Sequence, residues 1–211
     1  DLLQRYQQLL ALWPTPLTSA LPVSLQLHGV SVEGWLSGLH QRADGAVLTI
    51  SAIPNGIGSP KTRKWHRLIR PWVNHLVACA NGFSMTSALV ASDDSLLLAP
   101  FEEPVARRLL GDLLQAWQAG MRQPLPVAVK TAFAWLGQGD PAKADAAARQ
   151  AYEGDGQNSE GERREGPALA RQFADFDALT ADETFPDWCD ALYRPLLEAP
   201  WRSLAGEEVS S

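Results

Sequence analysis

Seven apolar residues, Trp65, Leu68, Ile69, Trp72, Val73, Leu76 and Val77, recur at helical spacing between two groups of alternating segments. This arrangement constrains the fold more than any other feature, because one apolar stripe of that kind needs a sheet face to bury against. Before it, Val23-Ser-Leu-Gln-Leu leads through His28-Gly29 into Val30-Ser-Val-Glu-Gly-Trp-Leu, and Ala43-Asp44-Gly45 signals a turn into Ala46–Ala52. The spacing predicts Ser59 as N-cap and Pro60 as first helical residue, with Pro71 kinking or restarting the helix and Asn81-Gly82 ending it. Phe83–Ala91 and Leu96–Ala99 read as further strands. Glu102 and Glu103 open a second helix through Leu109, Leu113 and Trp117 to Gly120. Trp65, Trp72 and Trp117 fall in apolar stripes and read as core. The whole order is that of an α/β fold with a central mixed sheet flanked by helices.

The rest of the chain differs in charge. Residues 1–138 carry 11 basic and 8 acidic side chains, and residues 139–211 carry 7 and 16. The expected division is an α/β core over 1–138 and an acidic helical extension over 139–211, packed on the same domain. Phosphates repel an acidic surface, so any nucleic-acid contact belongs to the first part. Within the extension a helix is expected from Pro141 to Tyr152. Glu153–Pro167 is polar and glycine-rich and reads as a mobile loop. Phe185, Trp188, Leu192 and Leu196 then form an apolar helical stripe, which either closes the core or docks a protein partner. Asp1–Leu10 reads as the end of a helix, and the chain does not begin with Met, so we expect a piece of a longer protein. No run reaches the roughly 18 apolar residues of a membrane helix, so no membrane association is expected. Cys79 and Cys189 match no metal or redox spacing and are expected to be neutral thiols in a reducing cytoplasm.

The loop Gly56-Ile-Gly-Ser-Pro-Lys61-Thr62 invites comparison with a phosphate-binding loop, but Pro60 stands where a glycine amide is needed. It reads better as a turn. His66 and His75 lie about 180° apart on one helix and cannot share a metal there. The basic residues are more informative. No acid occurs between Asp44 and Asp93, and Lys61, Arg63, Lys64, Arg67 and Arg70 all fall in that gap. On a helical wheel Arg63, Arg67 and Arg70 share one face. A single-sign surface suits DNA phosphate or an acidic partner, whereas an ordinary solvated face mixes both signs.

Gly34-Trp-Leu-Ser37, a following strand, and a Trp-rich helix ending Trp72-Val-Asn-His75-Leu-Val-Ala-Cys-Ala-Asn-Gly82 resemble the PD-(D/E)XK nuclease fold. Gly120-Met-Arg-Gln-Pro-Leu-Pro126, Ala134-Trp-Leu136 and Ala151-Tyr-Glu-Gly154 extend the likeness to the C-terminal domain of the exodeoxyribonuclease V gamma chain, the RecC family. The resemblance spans roughly residues 20–200 and rests on the order of several short segments. It implies a restriction-endonuclease-like sheet with a C-terminal helical extension.

Active enzymes of this fold hold magnesium on an acid at the fourth position of Gly-x-x-Asp and on the acid of Asp/Glu-x-Lys. Here the equivalent positions are Ser37, Thr49 and Ser51. The lysines are Lys61, Lys64, Lys130 and Lys143, and the residues two before them are Ser59, Thr62, Ala128 and Pro141. No Asp/Glu-x-Lys exists in any register. The resemblance therefore implies a non-catalytic subunit domain, with no metal, ATP site or other cofactor in this chain. It would help assemble a RecBCD-type helicase–nuclease with RecB-like and RecD-like subunits, and would guide DNA in double-strand break repair and recombination. The alternatives are an active magnesium-dependent nuclease with a migrated site, and a pure protein-interaction scaffold without DNA contact.

Overall fold

Helix α1 (Leu2–Leu12) opens the first unit, followed by β1 (Thr15–Pro16), β2 (Leu21–Leu27), β3 (Val30–Leu36), β4 (Leu39–Gln41) and β5 (Val47–Ala52). Two short 3₁₀ turns, Pro60–Thr62 and Trp65–Leu68, lead into α2 (Ile69–Ala80), then β6 (Met85–Val90), β7 (Ser95–Leu98) and α3 (Glu103–Gly120). The computed structural model describes residues 2–156 and 160–204. These form two compact units, one of residues up to 114 together with the segment from 199, the other of residues 115–198. No helix among the described residues is long and apolar enough to cross a membrane.

The sheet of the first unit has six strands in the order β1-β4-β5-β6-β7-β8, where β8 is Arg202–Ser203. Neighbours run antiparallel except β5 and β6, which are parallel with Thr49 beside Ser87. A parallel pair needs a crossover, and α2 supplies it. Leu48, Ala88 and Val90 pack with Leu9 and Trp13 on the α1 face. Leu39, Met85 and Val47 pack with Ala78 of α2 on the other face. The sheet is thus the expected restriction-endonuclease-like mixed sheet between helices.

Three details differ from the sequence reading. The first two expected strands, β2 and β3, do not join the central sheet. They pair with each other over all seven residues of each strand, turning at His28 and Gly29, both of which have positive φ. Ser37-Gly38, with Gly38 at φ 67°, then redirects the chain into β4. Also, the helix begins at Ile69, not Pro60. Pro71 therefore sits in its first turn, where its missing amide leaves no helical bond unmade, and no kink is needed. Trp72 is buried as expected, but Trp117 is 55% exposed, which corrects its reading as core.

The second unit is helical: α4 (Val129–Leu136), α5 (Pro141–Glu153), α6 (Glu162–Glu165), α7 (Pro167–Gln172), α8 (Phe176–Thr180) and α9 (Phe185–Glu198). Asp140 caps α5 by accepting from the amides of Ala142 and Lys143. The core joins Ala132, Leu136, Tyr152, Phe176, Leu179, Phe185 and Cys189, with Phe176 edge-on to Phe185. Of the polar stretch 153–167, residues 157–159 lie outside the described residues. Beyond them, Glu162 reaches back to α4, where its carboxylate accepts from the amides of Lys130 (3.0 Å) and Thr131 (2.9 Å). It thereby satisfies two donors that the helix start leaves open, since Ala128 offers no side-chain cap. Gly161 makes this reach possible: it has φ 75°, and a Cβ there would run into the backbone of residues 152–154.

A paired substitution tests this packing. Gly156 also has positive φ but faces open space. Gly156→Ala should cost only the left-handed backbone strain, about 1–2 kcal/mol. Gly161→Ala adds an overlap with backbone and should cost about 3 kcal/mol or more, with strain and overpacking combined. Urea unfolding of both variants checks the order; equal losses would contradict the close approach.

Candidate functional site

Strand alternation decides where the nuclease-like positions lie. Leu48 and Ile50 face α1, so Thr49 and Ser51 share the α2 face with Val47. Leu39 pairs with Thr49 at the end of the β4–β5 ladder, and Ser37 lies outside it, before the bend at Gly38, φ 67°. Thr49 and Ser51 thus share one sheet face, whereas Ser37 belongs to the link after β3. All three carry neutral hydroxyls, and none supplies the carboxylate that a magnesium site recruits. The residues present do not fit the metal. Among the described residues, no three of His, Cys, Asp and Glu are grouped to hold one.

The next positions on this face are also neutral. Ser87, beside Thr49, shares a 2.8 Å hydrogen bond with Nδ1 of His75, which α2 places over the sheet. Cys79, one turn on, lies 3.6 Å from Nε2 of the same ring. Phe101 packs edge-on against His75. Burial pushes the His75 pKa down from 6.5 to about 4, against a smaller raising effect of a hydrogen bond to the Ala99 backbone. The imidazole is therefore neutral at pH 7. Burial likewise pushes up both cysteine thiols, which are free and buried.

Acids do occur at this end of the sheet, in the turn between β6 and β7, but this chain's own donors occupy them. Asp93 accepts from the amides of Ile57 (2.7 Å) and Gly58 (2.8 Å). Burial would raise its carboxyl, but these two amides, its own amide and the charge of Arg63 together hold it below the ordinary carboxylate range. These amides belong to the loop compared above with a phosphate-binding loop, and Asp93 takes the place of the anion. Asp94 accepts from Arg63 (3.0 Å), the Ser95 amide (2.8 Å) and the Ser203 hydroxyl (2.6 Å). The sequence reading missed this clamp; the one hint was that Asp93 ends the acid-free interval.

The clamp rearranges the basic cluster. Two separate 3₁₀ turns, 60–62 and 65–68, stand in place of the expected continuous helix, so Arg63, Arg67 and Arg70 do not share one exposed helical face. The Arg63 side chain is only 4% exposed, paired with Asp94. Arg67 donates to the carbonyl of Gly56 and is half-buried. Lys61, Lys64 and Arg70 are exposed. In the second unit, Phe185 is buried in that unit's core and Leu196 is also buried, while Trp188 and Leu192 are half-buried.

Residues 1–140 match the family model described as the RecC C-terminal domain. No curated protein sequence matched.

The buried imidazole makes the acid stability of the fold predictable. Between pH 6.5 and about 4 the unfolded chain takes up a proton that folded His75 refuses. Stability present above pH 6.5 should fall as the pH drops toward 4, by on the order of 3 kcal/mol from this residue. Urea unfolding across that range should be flatter for His75→Gln than for the parent chain. An unchanged pH slope would mean that the imidazole titrates alike folded and unfolded.

Proposed function

The chain belongs to the RecC C-terminal domain family and has its role in exodeoxyribonuclease V, the RecBCD complex; we propose that it contacts and guides DNA there without cutting it. The observation that carries this reading is the chemistry of the sheet end. The nuclease-like positions Ser37, Thr49 and Ser51 carry hydroxyls where metal-dependent hydrolysis needs carboxylates. The two nearby acids are already engaged, Asp93 on backbone amides and Asp94 on Arg63.

DNA contact is proposed for the exposed side chains of Lys61, Lys64 and Arg70. Lysine binds phosphate as a flexible point charge, and arginine adds a fork of donors. Contacts of this kind position a duplex without reading its sequence. RecB-like and RecD-like subunits are the proposed protein partners. Trp188 and Leu192 are the side chains of the α9 stripe left half-buried and open to such a contact. Phe185 and Leu196 of the same stripe are buried.

Calorimetry at millimolar magnesium should show no site-specific heat with this chain, and the chain should leave linear DNA intact. A stoichiometric magnesium site together with metal-dependent cleavage would overturn the non-catalytic reading. Replacing Lys61, Lys64 and Arg70 together by glutamine in the assembled complex should weaken DNA binding and lower the salt slope by about 2–3. An unchanged slope would leave these residues to solvent or to a protein partner.

A further inference from the structure

The segment that carries Lys61 and Lys64 is folded back on itself and tied at several points. Asp93 accepts from two successive amides, those of Ile57 and Gly58. The Lys64 amide donates to the Ile57 carbonyl at 2.7 Å, and the Thr62 amide to Ser59 at 3.0 Å. Arg67 donates to the Gly56 carbonyl, and Arg63 is anchored on Asp94. The packing leaves no slack. A Cβ on Gly56 would overlap the Asp93 carboxylate, and one on Gly58, at φ 78°, would overlap the Thr62 carbonyl. Lys61 and Lys64 stand exposed on the outside of this tied segment.

We infer that Asp93 and Asp94 are positioning residues for DNA contact: they lock residues 56–64 in the one backbone form that sets Lys61 and Lys64 toward phosphate. This rests on the DNA-contact reading above. The physical reason is preorganisation. A lysine on a fixed backbone loses only side-chain freedom on meeting a phosphate, whereas a lysine on a loose loop must also order the loop. The inference reverses the sign expected from charge alone. An acid close to a DNA surface repels phosphate, so simple electrostatics has Asp93→Ala tighten DNA binding. Positioning has it weaken binding, because the lysines lose their frame.

The test measures DNA binding by the assembled complex over a salt series, with thermal unfolding and subunit assembly followed alongside. Asp93→Ala should lower the salt slope by about 1–2, as if one or both lysine contacts were lost. Gly58→Ala changes no charge but disturbs the same backbone, and should lower the slope by a similar amount. Asp93→Asn keeps one acceptor oxygen and should fall between Asp93→Ala and the parent. Tighter binding by Asp93→Ala, or an unchanged slope in Gly58→Ala, would overturn the inference. If replacing Lys61, Lys64 and Arg70 leaves the slope unchanged, the DNA reading itself fails and this inference fails with it. If that replacement lowers the slope while both backbone variants behave like the parent, the positioning role alone is wrong.

Discussion

The parallel pairing of β5 with β6 is the constraint on which the rest of the first unit depends. Parallel neighbours cannot be joined by a tight turn, so the chain must leave the sheet, cross one face and return. That crossover is α2, and its placement carries His75 over Ser87 and Ala78 onto Met85. The pairing also fixes which ends of the strands meet. Ala52 lies beside Val90, so the loop leaving β5 and the turn leaving β6 emerge at the same end. Asp93 can therefore reach the amides of Ile57 and Gly58, 36 and 35 residues away in sequence. The basic segment owes its shape to a sheet register.

The same geometry underlies the proposal that this nuclease-like sheet does no nuclease chemistry. In the metal-dependent enzymes of the fold, carboxylates at this end of the sheet repel one another until a cation joins them. Here that electrostatic problem does not arise. The strand positions are hydroxyls, and the two acids of the neighbouring turn are compensated by amides, a guanidinium and a hydroxyl of the same chain. The end of the sheet is closed by internal hydrogen bonds, and charge is displaced outward to Lys61, Lys64 and Arg70.

Much of this was legible in the sequence because the signals were local. Alternation gave β2, β3, β5, β6 and β7, and the helical period gave α3, α5 and α9 to within a few residues. His28-Gly29 and Asp44-Gly45 announced their turns. The strands β1 and β4, of two and three residues, are too short to show a period. The absence of Asp/Glu-x-Lys could be read in any register, so the character of the sheet face was accessible without an alignment. The fate of the basic cluster was not. Whether Arg63 points to solvent depends on Asp94, 31 residues away, and on the 3₁₀ turns that replace the first part of the expected helix. The cap that Glu162 places on α4 is hidden for the same reason, since it joins segments about 30 residues apart.

The central claim is that this family member meets DNA through the tied basic segment and does no chemistry on it. Both native cysteines are buried, so a thiol placed at the surface can be labelled selectively. An iron chelate attached to Lys61→Cys in the assembled complex, and for comparison to Asp182→Cys on the exposed surface of the second unit, would report which residue lies near bound DNA. The account predicts hydroxyl-radical cuts confined to a few adjacent nucleotides from residue 61 and none above background from residue 182. Cuts no stronger from residue 61 than from residue 182 would contradict it.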